Sequence, residues 1–500
     1  APAAGFCLPG CCLPGWFLPR WFLVAWFGRR AVSARPSQPI LTHDPALSQS
    51  AESPVAATAP ALNFQIAPGG NLRGRLRVPG DKSISHRAIM LGAIADGETE
   101  VSGFLEGADS LATLAAFRAM GVQIHGPDQG RVRIVGVGLQ GLRKPAGPLD
   151  MGNSGTSMRL LCGLLSGQRF SSTLIGDVSL SSRPMRRVTR PLGSMGARIQ
   201  SSDQGTAPLH IAPAQQLAGI DYPMPVASAQ VKSSLLLAGL YADGDTCVSE
   251  PAPTRDHTER MLTALGYSVR RDANRVWLSG GGYLRAAPIA VPADISSAAF
   301  FLVGASIAPG SDLLLEQVGM NPTRIGVINI LRKMGADLRI ERECELGAEP
   351  VADIRVRSAD LRGIKIPVDQ VPLAIDEFPA LFVAAACATG ETLLTGAEEL
   401  RVKESDRIAV MAQGLATLGV QAEVLADGIR IQGRGGVAAL FRGGSVRSHH
   451  DHRIAMAFSM AGLRAAAPIE IRDCANVNTS FPGFAALAAR AGLPITEQIS

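Results

Sequence analysis

The sequence predicts an α/β protein of two domains, with three copies of one repeated unit in each domain. Five hundred residues are more than one hydrophobic core usually organises. A helical pattern ends at a glycine in six places, and a helix made mostly of small residues precedes each of these patterns. Six such units cannot share one core at this length, so three units in each domain is the simplest arrangement.

Each repeat is marked by the glycine that ends its amphipathic helix, as a helix C-terminus requires. LATLAAFRAMG at 111–121 and RIAVMAQGLATLG at 407–419 are two such patterns. Consecutive glycines lie 69 to 84 residues apart, and this near-constant interval indicates a true repeat. The helix-end glycines are Gly121, Gly196, Gly266, Gly335, Gly419 and Gly492.

The other helix of each repeat carries small and aliphatic residues on all sides, which predicts burial on most of its surface. Short strands are expected after these helices, for example TCVSE at 246–250, and after the amphipathic helices, for example RVRIVG at 131–136. The small-residue helices are predicted at 85–95, 154–165, 229–240, 296–307, 378–388 and 451–462.

Composition excludes several classes of protein. Apolar residues make up 46% and charged residues 18%, which indicates a globular chain. The net charge is +5 without lysine-rich runs, so we expect no nucleic-acid partner. The longest uninterrupted apolar run, 21–28, is too short to span a bilayer, so no membrane association is expected.

The cysteines show neither disulfide nor metal-ligand spacing, which indicates a reducing compartment and a cytoplasmic location. We expect those beyond residue 60 to be small buried apolar residues, namely Cys162, Cys247, Cys344, Cys387 and Cys474.

Residues 1–60 differ from the rest of the chain. CLPG occurs at 7–10 and again at 12–15, and residues 31–60 are rich in serine, alanine and proline. We predict that residues 1–60 are a disordered or non-native N-terminal extension, although a plastid leader stays an alternative.

Polar residues concentrate where the helices of each repeat begin. Helix N-termini offer free N–H groups and a positive dipole end, so they suit anions. Arginines and hydroxyls at the same places favour phosphate and carboxylate groups through forked hydrogen bonds. The segments concerned are 80–87, 152–159, 176–187, 227–234, 254–260, 321–324, 374–379, 401–407 and 449–453.

These segments resemble the enolpyruvyl transferase superfamily and, within it, the EPSP synthase family, from about Leu62 to Ile495. The resemblance rests on GDKSISHRA, GNSGT, RPM, SAQVKS, ELRVKESDR and DHRIAM. It implies a two-domain inverse α/β barrel of six βαβαββ-type units, with the active site in the cleft between the domains. It also implies that residues 61–80 join residues 292–500 in one domain, while residues 81–291 form the other.

The resemblance further implies a reaction. The enolpyruvyl group of phosphoenolpyruvate passes to the 5-hydroxyl of 3-phosphoshikimate, and phosphate is released, in the shikimate pathway to chorismate. It implies no metal or organic cofactor, a monomer, and glyphosate as a competitive inhibitor.

The resemblance also implies binding roles for individual residues of this chain. Residues that match 3-phosphoshikimate-binding positions are Lys82, Ser83, Arg87, Ser228, Ala229, Gln230, Arg255, Asp376 and Lys403. Residues that match phosphoenolpyruvate-binding positions are Lys82, Asn153, Gly155, Thr156, Arg183, Gln230, Glu404, Arg407 and Arg453.

The chemistry needs a base at the attacking hydroxyl and an acid at the methylene carbon. Our hypothesis gives these roles to Asp376 and Glu404 respectively, with Lys82 stabilising charge; the reverse assignment of the carboxylates stays open.

The segments RPMRR, SAQVK, TRDHTE and NPTR, together with Thr479 before SFP, resemble class II members, which often tolerate glyphosate. Gly155, however, keeps the small residue where strongly insensitive members carry alanine. We therefore expect at most partial tolerance.

Other functions fit these residues less well. The sister enzyme that acts on UDP-N-acetylglucosamine usually carries a reactive cysteine before an Arg-Pro pair, and GDVSLSSRP at 176–184 has none. A non-catalytic anion-binding paralogue would not need Asp376 and Glu404 beside anionic ligands.

Overall fold

The repeated unit occurs six times in the computed structural model, which describes residues 62–499. The N-terminal extension predicted at 1–60 lies outside the described residues. In each unit a buried helix leads into a strand, and an amphipathic helix follows. The described helices are α1 (Lys82–Ile94), α2 (Ala108–Ala119), α3 (Gly155–Ser166), α4 (Val178–Ser181), α5 (Arg186–Ser194), α6 (Ala229–Gly239), α7 (His257–Ala264), α8 (Ile295–Ile307), α9 (Gly326–Lys333), α10 (Phe378–Cys387), α11 (Arg407–Thr417), α12 (His452–Ala461) and α13 (Phe484–Ala491).

Strands follow the helices at the intervals that the repeat predicts. The described strands are β1 (Leu62–Ile66), β2 (Arg73–Leu76), β3 (Asp96–Ser102), β4 (Gln123–Asp128), β5 (Arg131–Val137), β6 (Leu149–Asp150), β7 (Ser172–Ile175), β8 (Arg198–Gln200), β9 (Leu209–Ala212), β10 (Asp221–Pro223), β11 (Asp245–Ser249), β12 (Arg270–Asp272), β13 (Arg275–Ser279), β14 (Ile289–Ala290), β15 (Asp312–Gly319), β16 (Asp337–Leu346), β17 (Glu349–Arg357), β18 (Thr389–Leu394), β19 (Ala422–Val424), β20 (Ile429–Arg434), β21 (Gly444–Arg447), β22 (Ile469–Arg472) and β23 (Ile495–Ile499).

The five four-stranded sheets between residues 62 and 499 share one pattern of pairing, with one parallel edge and an antiparallel remainder, whereas the three-stranded sheet is wholly antiparallel. In the sheet β6-β7-β9-β8, for example, β6 is parallel to β7, whereas β9 is antiparallel to both of its neighbours. The other sheets within residues 62–499 are β10-β11-β13-β12, β14-β3-β5-β4, β16-β17-β15-β2, β21-β22-β1-β23 and the three-stranded β18-β20-β19. The predicted α/β class and the sixfold repeat are confirmed.

The six helix-end glycines all adopt left-handed backbone conformations. Their φ angles lie between 82° at Gly266 and 112° at Gly492. A side chain at such φ values meets steric strain, so glycine is needed where each helix stops. The glycine signal therefore identified the helix ends correctly.

The small-residue helices are buried, as predicted, and glycine permits their closest contacts. Helices α3 and α6 pack side by side. A Cβ atom built on Gly163 of α3 would lie 1.9 Å from the backbone oxygen of Ser234 on α6. The two backbones can approach this closely only because Gly163 has no side chain.

Two separate clusters of buried apolar residues define two lobes. The first lobe has its core in residues 64–78 and 293–495, and the second lobe has its core in residues 84–291. Strand β1 pairs with β22 and β23, and β2 pairs with β15, so the first described strands complete sheets of the first lobe.

Two chain segments connect the lobes and are bonded to each other. The N–H of Asp81 donates to the carbonyl of Pro292 at 2.8 Å, and that of Asp294 donates to Pro79 at 2.9 Å. The buried Arg324 guanidinium donates to the carboxylates of Asp81 and Asp294, at 2.9 and 3.1 Å. These aspartates cap helices α1 and α8, so Arg324 fixes the helix starts beside the connection.

The prediction for the cysteines is correct for four positions and wrong for Cys344, which is exposed. Cys344 lies on β16, an edge strand that is irregularly paired between Glu341 and Cys344 and whose far end faces solvent. None of the helices between residues 62 and 499 has the length and apolar character needed to cross a membrane.

Candidate active site

A cavity of about 630 Å³ lies between the lobes and is lined by residues of both. Five helix starts contribute to its wall, because α1, α3, α6, α8 and α12 all begin at or near it. Their free N–H groups make this an anion-binding environment. The predicted site residues that line the cavity are Lys82, Ser83, Asn153, Gly155, Thr156, Arg183, Ser228, Ala229, Gln230, Arg255, Asp376, Lys403, Glu404 and Arg453.

On the second-lobe wall, a chain of polar side chains holds Arg183 in place. The Arg183 guanidinium donates to Asn153 Oδ1 at 2.6 Å, and Asn153 Nδ2 donates to Asp177 Oδ2 at 2.7 Å. Asp177 caps the short helix α4 through the N–H of Leu180. The loops before α3 and α5 are thus bonded together around one buried guanidinium.

Arg159 lies beside Arg183 and forms the centre of a cationic cluster. Its guanidinium donates to Gln230 Oε1 at 2.6 Å, and Gln230 Nε2 donates to Thr156 Oγ1 at 3.0 Å. Burial, followed by the charges of Arg187 and Arg183, lowers the pKa of Arg159 to about 9. Three cations around one cavity wall favour an anionic ligand there.

Lys82, at the start of α1, forms an ion pair with Asp109 at 3.0 Å between Nζ and Oδ2. Asp109 is 6% exposed. Burial raises the pKa of this carboxyl, although Lys82 opposes the effect. The ammonium of Lys82 is thereby held against the cavity wall.

On the first-lobe wall, Asp376 is surrounded by cations. It accepts hydrogen bonds from Arg255, across the cleft, and from Arg407 at 3.2 Å, and it lies 3.8 Å from the Lys403 ammonium. Burial alone would raise its pKa, but Arg255, Lys403, Arg453 and Arg407 hold the pKa well below the usual range. Asp376 is therefore ionised at neutral pH.

Glu404 is ionised for a similar reason. Its Oε2 accepts from Arg407 Nη2 at 2.5 Å, and its Oε1 lies 4.0 Å from Arg183 Nη1. Burial would raise its pKa, but Arg407, Arg183, His452 and Lys82 hold the pKa well below the usual value. The site thus contains two carboxylates in a mainly cationic cavity.

Two predicted site residues are not part of the cavity lining. Arg407 is fully buried behind it and is held by Asp376, Glu404 and Asp451. Arg87 is 3% exposed, and its guanidinium donates to Ser83, Ser233 and Thr258 at 2.7–2.8 Å. The structure brings both arginines directly behind residues that do line it.

Several lining residues were not predicted. Arg159 and Arg187 end the motifs GNSGTSMR and RPMRR, so their position in those motifs was an available signal. No sequence signal pointed to Asp109, because it lies in the first turn of an ordinary amphipathic helix. The unpredicted charged or hydroxyl residues of the cavity are Asp109, Arg159, Arg187, Thr254, Asp294, Ser296, Arg324, Glu398 and Glu399.

Another cavity, of about 810 Å³, opens where α1 and α6 end, at the other end of these helices from the cleft. It contains none of the predicted site residues. No group of three or more acidic, histidine or cysteine side chains between residues 62 and 499 is arranged to hold a metal ion.

Paired three-unit lobes, with cationic helix starts facing one cleft, form the fold of the enolpyruvyl transferases. The structure of the enolpyruvyl transferase NikO from Streptomyces tendae matches 88% of this chain and all of that chain, with a TM-score of 0.70. At 15% sequence identity, this likeness shows the fold alone.

The chain belongs to the EPSP synthase (3-phosphoshikimate 1-carboxyvinyltransferase) family, whose model matches residues 66–487. The 3-phosphoshikimate 1-carboxyvinyltransferase of Alkalilimnicola ehrlichii is 71% identical over 87% of this chain and 97% of the relative. That of Methylococcus capsulatus is 67% identical over 86% and 98%. The structure of EPSP synthase from Acinetobacter baumannii is 60% identical, covers 87% of this chain and all of its own, and has a TM-score of 0.79.

Proposed function

We propose that this chain transfers the enolpyruvyl group of phosphoenolpyruvate to the 5-hydroxyl of 3-phosphoshikimate and releases phosphate. One observation carries the proposal: cations from both lobes surround two ionised carboxylates in a single cleft. Both substrates are multiply anionic, and the reaction needs proton transfer groups beside them. Membership of the EPSP synthase family supports the same reaction.

Phosphoenolpyruvate is proposed to lie against the start of α3 and the arginines around it. Guanidinium groups can donate paired hydrogen bonds to its phosphate and carboxylate, and backbone N–H groups can donate to the same oxygens. The proposed contacts are Lys82, Asn153, Gly155, Thr156, Arg183, Gln230, Glu404 and Arg453, and Arg159 joins them because it lines the cavity and bonds to Gln230 at 2.6 Å. Arg407 is fully buried, so it is proposed to act from behind the wall through Glu404 and Asp376.

3-Phosphoshikimate is proposed to lie against the starts of α1 and α6. The hydroxyl of Ser228 and the N–H groups of the first turn of α6 suit its phosphate. Arg255, on the loop before α7, faces the same space. The proposed contacts are Lys82, Ser83, Ser228, Ala229, Gln230, Arg255, Asp376 and Lys403. Arg87 lies behind this wall and is proposed to act through Ser83, to whose carbonyl it donates at 2.8 Å.

Chemistry proceeds by addition and elimination. The 5-hydroxyl oxygen bonds to C2 of phosphoenolpyruvate while its proton passes to a base and another proton is added to the methylene carbon. The reverse proton flow at that carbon then accompanies loss of phosphate. We propose Asp376 as the base and Glu404 as the proton carrier, with Lys82 stabilising the charge that develops.

Substrate binding is expected to raise the pKa values of both carboxylates. Arg255 pairs with Asp376 and Arg183 lies 4.0 Å from Glu404, and both arginines line the cavity, so the anionic substrates compete with the carboxylates for these two guanidinium groups. Each arginine engaged by a substrate stabilises the ionised carboxylate less. Binding thus shifts the two groups toward the range where a carboxyl exchanges protons.

Three further properties are proposed. Glyphosate, an anionic phosphonate, competes with phosphoenolpyruvate for the arginine cluster. The chain acts as a monomer, since each chain carries residues of both cleft walls. Free cysteines among the described residues suit a cytoplasmic location.

The deciding experiment measures phosphate release from phosphoenolpyruvate in excess chelator, with 3-phosphoshikimate or UDP-N-acetylglucosamine as acceptor. Release with 3-phosphoshikimate alone supports the proposal and a reaction without a dissociable metal. Release with the sugar nucleotide alone assigns the chain to the sister reaction. If no phosphate is released with either acceptor, by the folded full-length protein or by residues 61–500, a non-catalytic anion-binding protein is favoured.

A further inference from the structure

Directly behind the 3-phosphoshikimate wall lies a buried ion cluster to which the reaction assigns no role. The side chain of Lys232, on α6, is fully buried. Its Nζ lies 3.0 Å from Glu250 Oε1 and 2.7 Å from Glu259 Oε1, and it donates to the carbonyl of Thr254 at 3.4 Å. We call Lys232, Glu250 and Glu259 the lysine cluster.

Two carboxylates against one ammonium leave a surplus negative charge, which is costly inside a protein. The fourth charge is Arg87 of α1, whose pKa is lowered to about 10, chiefly by burial, with Glu259 the largest opposing influence. Arg87 also donates to Thr258 beside Glu259, and to Ser233 beside Lys232. Arg87 and Lys232 are thus the buried cations that face the two glutamates, and the half-exposed Arg271 lies 4.0 Å from the other oxygen of Glu250.

The cluster connects separate segments that carry 3-phosphoshikimate contacts. Lys232 follows Ser228 and Gln230 at the start of α6, and Arg87 lies on the helix that begins with Lys82 and Ser83. The third segment is the loop that carries Arg255. Its neighbour Thr254 is bound on both sides, because its carbonyl accepts from Lys232 and its hydroxyl donates to Glu250.

On its own lobe, the chain beside Arg255 is held on one side by Thr254 and on the other by Asp256, which accepts from Arg260 and Arg271. The loop before Arg255, residues 251–254, contains two prolines and belongs to no helix or strand. The only hydrogen bond recorded for its guanidinium within the described residues goes to Asp376 of the opposite lobe. Lys232 thus provides the contact that holds the loop against the start of α6.

We propose that Lys232 is a positioning residue for 3-phosphoshikimate: it fixes the distance between the Arg255 loop and the Ser228–Gln230 helix start. The inference rests on the proposed function. Lys232 does not reach the cavity, so it acts only through Arg255 and the α6 start. Loosening this geometry displaces Arg255 and Ser228 and so weakens binding of 3-phosphoshikimate. Gln230, which is proposed to contact both substrates, keeps its bonds to Arg159 and Thr156, so the phosphoenolpyruvate wall changes less.

The first test is Lys232→Met, which shortens the unbranched side chain by one atom and removes its charge. We expect the KM for 3-phosphoshikimate to rise about tenfold or more, with the KM for phosphoenolpyruvate within about twofold and kcat within about threefold. Leu278→Ala, a buried change on β13 away from the cleft, is the matched control for lost stability. It is expected to lower Tm without changing either KM.

The second test separates positioning from charge balance. Lys232→Met with Glu259→Gln removes one charge of each sign, so we expect Tm to recover toward the wild-type value. The KM for 3-phosphoshikimate is expected to stay high, because the link between α6 and the loop is still absent. Recovery of that KM together with Tm would overturn the proposal, and so would an equal rise of both KM values.

If the Lys232→Met protein does not fold, the Glu250→Gln variant is assayed in its place. This variant keeps the Lys232–Glu259 pair and is expected to raise the KM for 3-phosphoshikimate about threefold or more. An unchanged KM would overturn the inference. Wild-type protein is assayed in parallel: inactivity there contradicts the proposed function, whereas an active wild type with unaffected variants contradicts only the role of Lys232.

Discussion

Arg255 of the second lobe donates a hydrogen bond to the carboxylate of Asp376 in the first lobe, across the cleft. Both residues are proposed to contact the same substrate. A phosphate or carboxylate that engages Arg255 removes the strongest cationic influence on Asp376. Substrate binding and activation of the proposed base are therefore connected through one ion pair.

Replacing either proposed proton-transfer residue is expected to abolish most turnover. Asp376→Ala and Glu404→Ala should each lower kcat by about 10²- to 10⁴-fold, the usual contribution of a positioned acid or base. Steady-state phosphate release measures the effect. Glu391→Gln, in an exposed ion pair with Arg430, is the control and should leave kcat unchanged. Near-normal turnover in both alanine variants would contradict the scheme.

Gly155→Ala should weaken the binding of both glyphosate and phosphoenolpyruvate. A Cβ at Gly155 would lie 3.0 Å from Arg159 Nη1 and 3.2 Å from Arg183 Nη1, so both guanidinium groups must move. We expect the KM for phosphoenolpyruvate and the glyphosate inhibition constant to rise, with the KM for 3-phosphoshikimate unchanged. Inhibition curves at fixed phosphoenolpyruvate measure this. Identical curves for the variant and the wild type would exclude the steric explanation.

Inorganic phosphate should stabilise the free protein through the cluster of Arg159, Arg183 and Arg187. A ligand that binds only the folded state at 100 times its Kd adds about 2.7 kcal/mol of stability. We expect phosphate to raise Tm more than chloride at equal ionic strength, and Arg159→Gln to lose most of this difference. Equal phosphate effects in the variant and the wild type would show that the anion binds elsewhere.

His86 should make folding sensitive to mild acid. This residue is fully buried beside Thr113, and burial, followed by the charge of Lys82, lowers its pKa to about 3. The unfolded chain takes up a proton near pH 6.5 and the folded chain only near pH 3, so stability is lost as pH falls through this window. At pH 5 the loss is about 2 kcal/mol.

His86→Gln tests this expectation. Urea unfolding at pH 7 and pH 5 should show a smaller loss of stability in the variant, by about 2 kcal/mol, even if the variant is less stable at pH 7. The same loss in both proteins would mean that other groups cause the acid sensitivity.

The local sequence was sufficient to predict the sixfold repeat and most of the residues that line the cavity. A glycine must end each helix in a left-handed conformation, and all-small helices must be buried, so both signals could be read without a partner residue. The motifs at helix starts identified Lys82, Asn153, Gln230 and Glu404 for the same reason. An anion site built on a helix N-terminus is a local feature of the chain.

Pairings between distant residues required the folded chain. Asp109 pairs with Lys82, and Lys232 lies between Glu250 and Glu259. The spacing of these residues in the sequence does not predict the ion pairs. Cys344 was predicted to be buried and is exposed, because its strand lies at the edge of its sheet. Helix ends, burial patterns and anion-binding turns follow from neighbouring residues. Charge partners and pKa values depend on which segments the tertiary structure brings within a few ångströms of one another, because electrostatic and desolvation effects act through space.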